Sequence, residues 1–358
     1  MRIKKALFLG TLCTAVSGMS LFAQAGVSYA KSAEKTTEAV SSEEAESEEE
    51  TSEEVTYPIT IEHAFGETVI ESKPERIATI GWENQDTPLA LGVAPVGVST
   101  ANYGMVTDNN LHPWTDEAFA DLGVEKPVVF DDVDGLDFEQ ISDCNPDVIL
   151  AAYSGMTQED YDTLSEIAPV IPYKEKAWNT SWREQTIENA EGMGMKPEGE
   201  KKVKEVEDLI AEKLEEYPQL EGIPTAFCWI SADDFSTFYV YLPTDPRAAY
   251  LLDLGFTLPE SVQKLAGETD DFNITVSREN ADQLDDIQLM VVYGDEDLLK
   301  SLQEDKLMSQ IPAIKNGAVA LVDSTSALAG ACTPSILSIP YEIDEYLQLL
   351  SDAAENIK

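Results

Sequence analysis

The stretch "RIATIGWENQDTPLALG", residues 76–92, decides how the fold is read. Ile77–Ile80 is a short apolar run that stops at Gly81, as a buried strand does. Pro88 then stands in what reads as a first helical turn, with Asp86 or Thr87 as its cap. A strand feeding directly into a helix is half of a parallel α/β unit. Trp82 and the polar run Glu83–Asp86 therefore fall at the carboxyl end of a strand, where open α/β sheets bind their ligands. Capping accounts for much of "ENQD" and leaves Trp82 unexplained.

Outward from this stretch the same grammar repeats. "YPITIEHAFGETVIE" alternates around Phe65-Gly66 and reads as an edge hairpin. Apolar runs at Val96–Val98, Val128–Phe130, Val148–Ala152 and Val170–Pro172 alternate with helical patterns at Thr87–Leu91, Phe138–Cys144 and Gln158–Ile167. A second set begins near Pro224, with runs at Thr225–Ile230, Thr237–Tyr241, Leu289–Tyr293 and Ala318–Val322. Its helical patterns are Arg247–Leu254, Ser277–Leu284, Asp297–Leu307 and Tyr341–Leu350. The expected class is α/β: two Rossmann-like lobes with parallel or mostly parallel sheets and a ligand cleft between them.

Between the sets lies "KPEGEKKVKEVEDLIAEKLEEYP". Pro197 suits a first turn, the early glutamates suit a helix N-terminus, and Pro218 stops the pattern. One helix over 197–217, roughly 30 Å long, would connect an N-terminal lobe (57–196) to a C-terminal lobe (218–358).

The chain opens differently. Arg2, Lys4 and Lys5 precede an apolar run to about Phe22, then small-x-small sites ending at Ala25 and Ala30. This reads as a secretory signal over residues 1–30, cleaved after Ala25 or Ala30, and as too interrupted for a membrane span. Leu12 stands before Cys13 where a lipid-attachment signal wants a small residue. Residues 31–56, with "SSEEAESEEETSEE", carry too little apolar surface to offset ordering entropy and are expected to be a disordered tether. The protein is thus expected to be exported, either periplasmic or associated with the cell envelope.

The formal charge is −45, or −48 without the three cations of the signal. No basic patch is available to release counterions from nucleic acid, which excludes it as a partner. Cys144, Cys228 and Cys332 are distant from one another and odd in number, so buried thiols are expected in place of a disulfide framework, although one bridge stays open.

No phosphate loop, dinucleotide fingerprint, nucleophile elbow or zinc-protease motif is present. The two histidines, His63 and His112, lie far apart and near no plausible nucleophile. His and Cys clusters for a transition metal are missing from the sequence. Cations are scarce: after the signal the arginines are Arg76, Arg183, Arg247 and Arg278. "WNTSWREQ" sets Arg183 beside Trp178 and Trp182, and "FSTFYVYLPTDPRAAY" sets Arg247 after Phe238, Tyr239 and Tyr241. A guanidinium among aromatic rings suits a flat, polar or anionic ligand, and equally suits core packing with a local salt bridge.

Several long blocks resemble the iron–siderophore substrate-binding proteins of ABC importers. They are "HAFGETVIESKPERIATIGWENQDTPLALGVAPVGVS", "FEQISDCNPDVILAAYSGMTQEDYDTLSEIAPVIPY", "YLPTDPRAAYLLDLGF" and "GACTPSILSIPYEIDEYL". The resemblance runs from about Tyr57 to Leu350. It implies two lobes joined by a single long helix and a shallow cleft that binds a ferric siderophore. The iron is held by the siderophore, so no cofactor and no protein metal site is needed, and the chain is no enzyme. It also implies a monomer that docks on an ABC permease dimer in the cytoplasmic membrane through one acidic residue per lobe. The matching positions are Glu139 and Glu279, although a glutamate in a first helical turn is also favoured by the helix dipole alone.

The cleft residues implied are Trp82, Tyr153, Tyr239 and Arg247, with Trp178, Arg183 and Tyr241 behind them and Leu328 in the loop "DSTSALAGACT". So acidic a chain fits a neutral or cationic hydroxamate better than a strongly anionic catecholate. The alternatives are a haem or cobalamin binder of the same importer class, with Tyr153 or Met156 near a haem iron, a secreted hydrolase, and an adhesion protein with a degenerate cleft.

Overall fold

Apolar runs with no wet face build the centre of each lobe. The structure, a computed structural model, describes residues 55–132 and 135–358. The expected signal and residues 31–54 of the expected tether lie outside them. The antiparallel hairpin β1 (Ile59–His63) and β2 (Gly66–Ile70) forms first. Thr68 Oγ1 ties it to the lobe by donating to Val170 O at 2.8 Å.

The strands β3 (Ile77–Thr79), β4 (Val98–Ser99), β5 (Val129–Phe130), β6 (Val148–Ala151) and β7 (Val170–Pro172) follow. β3, β6 and β7 run parallel in the order β3-β6-β7. β4 and β5 form a parallel pair that joins them through a bridge between Ala78 and Gly97. The helices of this half are α1 (Asp86–Ala90), α2 (Pro113–Asp121), α3 (Phe138–Asp143), α4 (Gln158–Ser165) and α5 (Trp182–Gly192). α4 and α5 start at capping boxes, Thr157 with Asp160 and Ser181 with Glu184, which satisfy amides that a helix start leaves bare.

α6 (Lys196–Leu214) buries Val203, Val206 and Ile210 along one stripe. It packs against α5 on one side and the last helix of the chain on the other. The strands of the second sheet are β8 (Thr225–Trp229), β9 (Thr237–Tyr241), β10 (Asn273–Ser277), β11 (Leu289–Tyr293) and β12 (Val319–Val322), in the order β10-β9-β8-β11-β12. β8, β11 and β12 are parallel, whereas β9 and β10 are antiparallel to their neighbours. This sheet is mixed for a local reason: the short link from β8 to β9 is too short for a crossover helix and permits only a hairpin. α7 (Pro246–Asp253), α8 (Glu260–Ala266), α9 (Glu296–Glu304), α10 (Pro312–Asn316), α11 (Ala327–Ala331) and α12 (Ser338–Ala354) complete the chain. The helical pattern expected at Ser277–Leu284 is a 3-10 helix over Arg278–Gln283.

Candidate ligand-binding site

The loop after β3 is built around close backbone approach. Gly81 has φ 83°, and a Cβ there would meet Tyr153 O at 2.7 Å, so the turn requires glycine. The amide of Trp82 donates to the same Tyr153 carbonyl at 3.2 Å. Asn84 is wholly buried and locks the loop to its surroundings. Its Nδ2 donates to Ile80 O (2.7 Å) and Tyr153 O (2.9 Å). Its Oδ1 accepts from Tyr153 N (3.1 Å) and Asn189 Nδ2 (2.9 Å).

The expected cap at Asp86 or Thr87 is not what forms. The cap position is Gln85, in helical geometry and with no side-chain cap bond. Asp86 is fully buried and faces three donors from elsewhere in the fold. Trp114 Nε1 reaches it at 2.9 Å, Thr115 Oγ1 at 2.8 Å, and Ser335 Oγ also donates to it. Ser335 precedes α12, so this one carboxylate joins α1 and α2 to the C-terminal segment. Burial pushes its pKa up to about 6 against these hydrogen bonds.

Two adjoining cavities open at this loop. One, of 380 Å³, is lined by Trp82, Tyr103, Tyr153, Trp178, Trp229, Tyr241, Asp245, Arg247, Phe272, Tyr293 and Thr333. The other, of 340 Å³, shares Trp82 and Trp178 and continues past Glu83, His112, Ser99 and Asp132. Each has the size of a small-molecule site. Within the first, Tyr153 meets Trp178 edge-on with ring centres 5.2 Å apart. The Arg247 guanidinium lies 3.9 Å from the centre of the Tyr241 ring and forks onto Asp245, Nε to Oδ1 at 2.8 Å and Nη2 to Oδ2 at 2.6 Å. That carboxylate holds the guanidinium charged against the burial that opposes it. Burial pushes the Tyr103 phenol up to about 12.

The structure brings Trp82, Tyr153, Trp178, Tyr241 and Arg247 together at one cavity. Tyr239 is exposed and stacks on Trp229 with ring centres 5.4 Å apart, outside the lining itself. Arg183 and Leu328 stand elsewhere. Arg183 lies over Trp182 and bonds to Glu207 and Asp253 at 2.6 and 2.7 Å, a strut among α5, α6 and α7. Leu328 is packed in the core around α12. Acidic neighbours in the fold claimed Arg183, which nearness to tryptophan in the sequence could not reveal.

Trp229, Tyr293, Tyr103, Phe272 and Thr333 were not foreseen. Trp229 and Tyr293 end β8 and β11, so the carboxyl-end rule that singled out Trp82 would have found them if applied to every strand. Tyr103 and Phe272 come from loops with no signal. Glu139 and Glu279 are exposed in the first turns of α3 and the 3-10 helix. Cys144, Cys228 and Cys332 are free thiols. Among the described residues no group of three or more His, Cys, Asp or Glu side chains is placed to hold a metal ion, and no helix is long and apolar enough to cross a membrane.

Two α/β lobes over an aromatic, ligand-sized cleft define a bilobal solute-binding protein. The chain belongs to the family described as "Periplasmic binding protein", whose signature matches residues 77–325. It is 48% identical to PiaA of Streptococcus pneumoniae TIGR4, solved in complex with ferrichrome. That likeness has a TM-score of 0.80 and covers 84% of this chain and 100% of that one. The petrobactin-binding protein YclQ of Bacillus subtilis (strain 168) is 24% identical over 305 residues, 81% of this chain and 88% of the relative. The probable siderophore-binding lipoprotein YfiY of the same organism is 25% identical over 237 residues, 65% of this chain and 67% of the relative.

Proposed function

We propose that this protein is an extracytoplasmic receptor that captures a ferric hydroxamate siderophore and delivers it to an ABC permease for iron uptake. The observation that carries the reading is the aromatic cleft with Arg247 at its side, in a chain 48% identical to a protein solved with ferrichrome. Aromatic walls remove apolar chelate surface from water, and a charged guanidinium directs hydrogen bonds at the iron-bound oxygens. Trp82, Tyr153, Trp178, Tyr241 and Arg247 form the contact set, with Tyr239 at the rim. The iron arrives in its chelate and the protein supplies no cofactor. The chain acts as a monomer and turns nothing over.

We divide it into an N-terminal lobe of residues 57–196, a connecting helix and a C-terminal lobe from 218; α6 touching helices on both sides supports that division. Export through the N-terminal signal fits relatives that are named lipoproteins. Glu139 and Glu279 are the docking acids. Replacing both with alanine should abolish ferric siderophore uptake and leave ligand affinity intact; uptake that persists would sink the docking role. Native mass spectrometry of the protein mixed with a ferric trihydroxamate should show a one-to-one complex that retains iron. Only ligand-free protein at micromolar concentrations would overturn the reading.

A further inference from the structure

The two cavities differ in chemistry. The aromatic one holds Arg247, whereas the 340 Å³ cavity beside it is lined by Glu83, Asp132 and Asp160 and by no lysine or arginine. Several polar groups on this wall lack a well-aligned partner. Glu83 is 3% and His112 1% exposed, and neither Glu83 carboxylate oxygen nor His112 Nε2 has a partner in good hydrogen-bond geometry; the Ser335 hydroxyl and the Trp82 indole are the neutral donors that approach Glu83. The two side chains face each other at 3.6 Å. Glu83 also holds φ at 53°, a conformation that side chains other than glycine rarely adopt. A buried acid with no cation and no well-aligned donor is costly, and strained backbone concentrates at ligand clamps. Asp132, half-buried, is held at the same cavity by Ser99, whose Oγ donates to it while accepting from the Gly81 amide at 3.0 Å.

We propose that this acid-lined cavity is a second subsite, which takes a primary ammonium group carried on an arm of the ferric chelate. The inference rests on the ferric hydroxamate reading and narrows it to chelates with a cationic arm. Ammonium supplies the charged, well-aligned donor that Glu83 lacks and the positive charge that the lining lacks.

Burial and the neighbouring Asp86 push the Glu83 carboxyl well above its usual range, against weaker pulls from the Ser335 hydroxyl and the Trp82 indole. An ammonium partner favours the ionised form, so binding expels a proton from Glu83 and the affinity for an amine-bearing ligand rises with pH. The groups around it do not reverse that sign. His112 is pushed down to about 4 and stays neutral. Asp86, near 6, gains negative charge as pH rises, and Asp132, a carboxyl raised by burial, works in the same direction.

The test compares a linear ferric trihydroxamate ending in a primary amine with its N-acetylated form, titrated at pH 6 and pH 8. The wild-type protein should prefer the amine by about tenfold at pH 8, with a smaller preference at pH 6. Glu83→Gln and Asp132→Asn should each shrink the preference, and Asp132→Asn decides the matter if the buried Glu83 variant fails to fold. Equal affinity for the two forms in the wild type would overturn the subsite while leaving the hydroxamate reading in place. So would a preference that survives in the folded variants. If neither form bound, both readings would fall together.

Discussion

Two helix starts carry an aspartate one or two residues ahead of a proline, and they use it in opposite ways. In "TDPR" Asp245 caps α7, accepting from the Arg247 amide, and grips the Arg247 side chain. In "QDTP" Asp86 caps nothing and serves three donors drawn from distant parts of the chain. Both carboxylates are buried, but only Asp245 has a cation beside it. The lesson concerns environment: the same residue grammar orients a cavity-lining guanidinium where a cation follows, and cements the fold where only neutral donors surround it.

That contrast can be broken by substitution. Asp86→Ala leaves Trp114, Thr115 and Ser335 without an acceptor in a dry site. It should cost about 3–5 kcal/mol of stability, read from urea midpoints; a cost below about 1 kcal/mol would show that the carboxylate cements nothing.

The pH dependence comes next in size. Burial raises Asp86 from the ordinary aspartate value of 3.8 to about 6 in the folded protein. The folded state therefore holds this proton more tightly than the unfolded chain does. Asp86 stabilises most below the unfolded value, and stability falls as pH rises from about 4 to about 6, by on the order of 2–3 kcal/mol. Comparing wild type with Asp86→Asn over this range isolates the effect, and parallel curves would refute it.

Arg247→Gln should act on the ligand instead, lowering affinity for a ferric hydroxamate by roughly thirtyfold, about 2 kcal/mol. Unchanged affinity would remove Arg247 from the site. The smallest effect belongs to Arg183→Ala. Its partly exposed strut should be worth about 1 kcal/mol of stability, with ligand affinity changed less than about twofold. A large affinity loss would restore Arg183 to the cleft.

The sequence was most legible where local pattern and tertiary role agree. Apolar runs located nearly every strand, since a buried parallel strand announces itself without reference to its neighbours. β10 escaped because "NITVS" is half-exposed and antiparallel, with no continuous apolar run. That Trp82, Tyr153, Tyr241 and Arg247 share one cavity lining was legible because strand ends and family blocks point to them. Arg183 and Leu328 could not be sorted, because a salt-bridge partner seventy residues on or a core position is visible only once the chain is folded. "ENQD" read as capping for the same reason: the donors that claim Asp86 come from Trp114, Thr115 and Ser335, remote in sequence.

Tryptophan fluorescence during titration with a ferric trihydroxamate reports on whether the aromatic cleft binds the chelate. Trp82, Trp178 and Trp229 line the cleft, so the account predicts saturable quenching at micromolar or lower ligand, strongly reduced in Trp82→Ala. Unchanged fluorescence at those concentrations, or identical quenching in the variant, would contradict it.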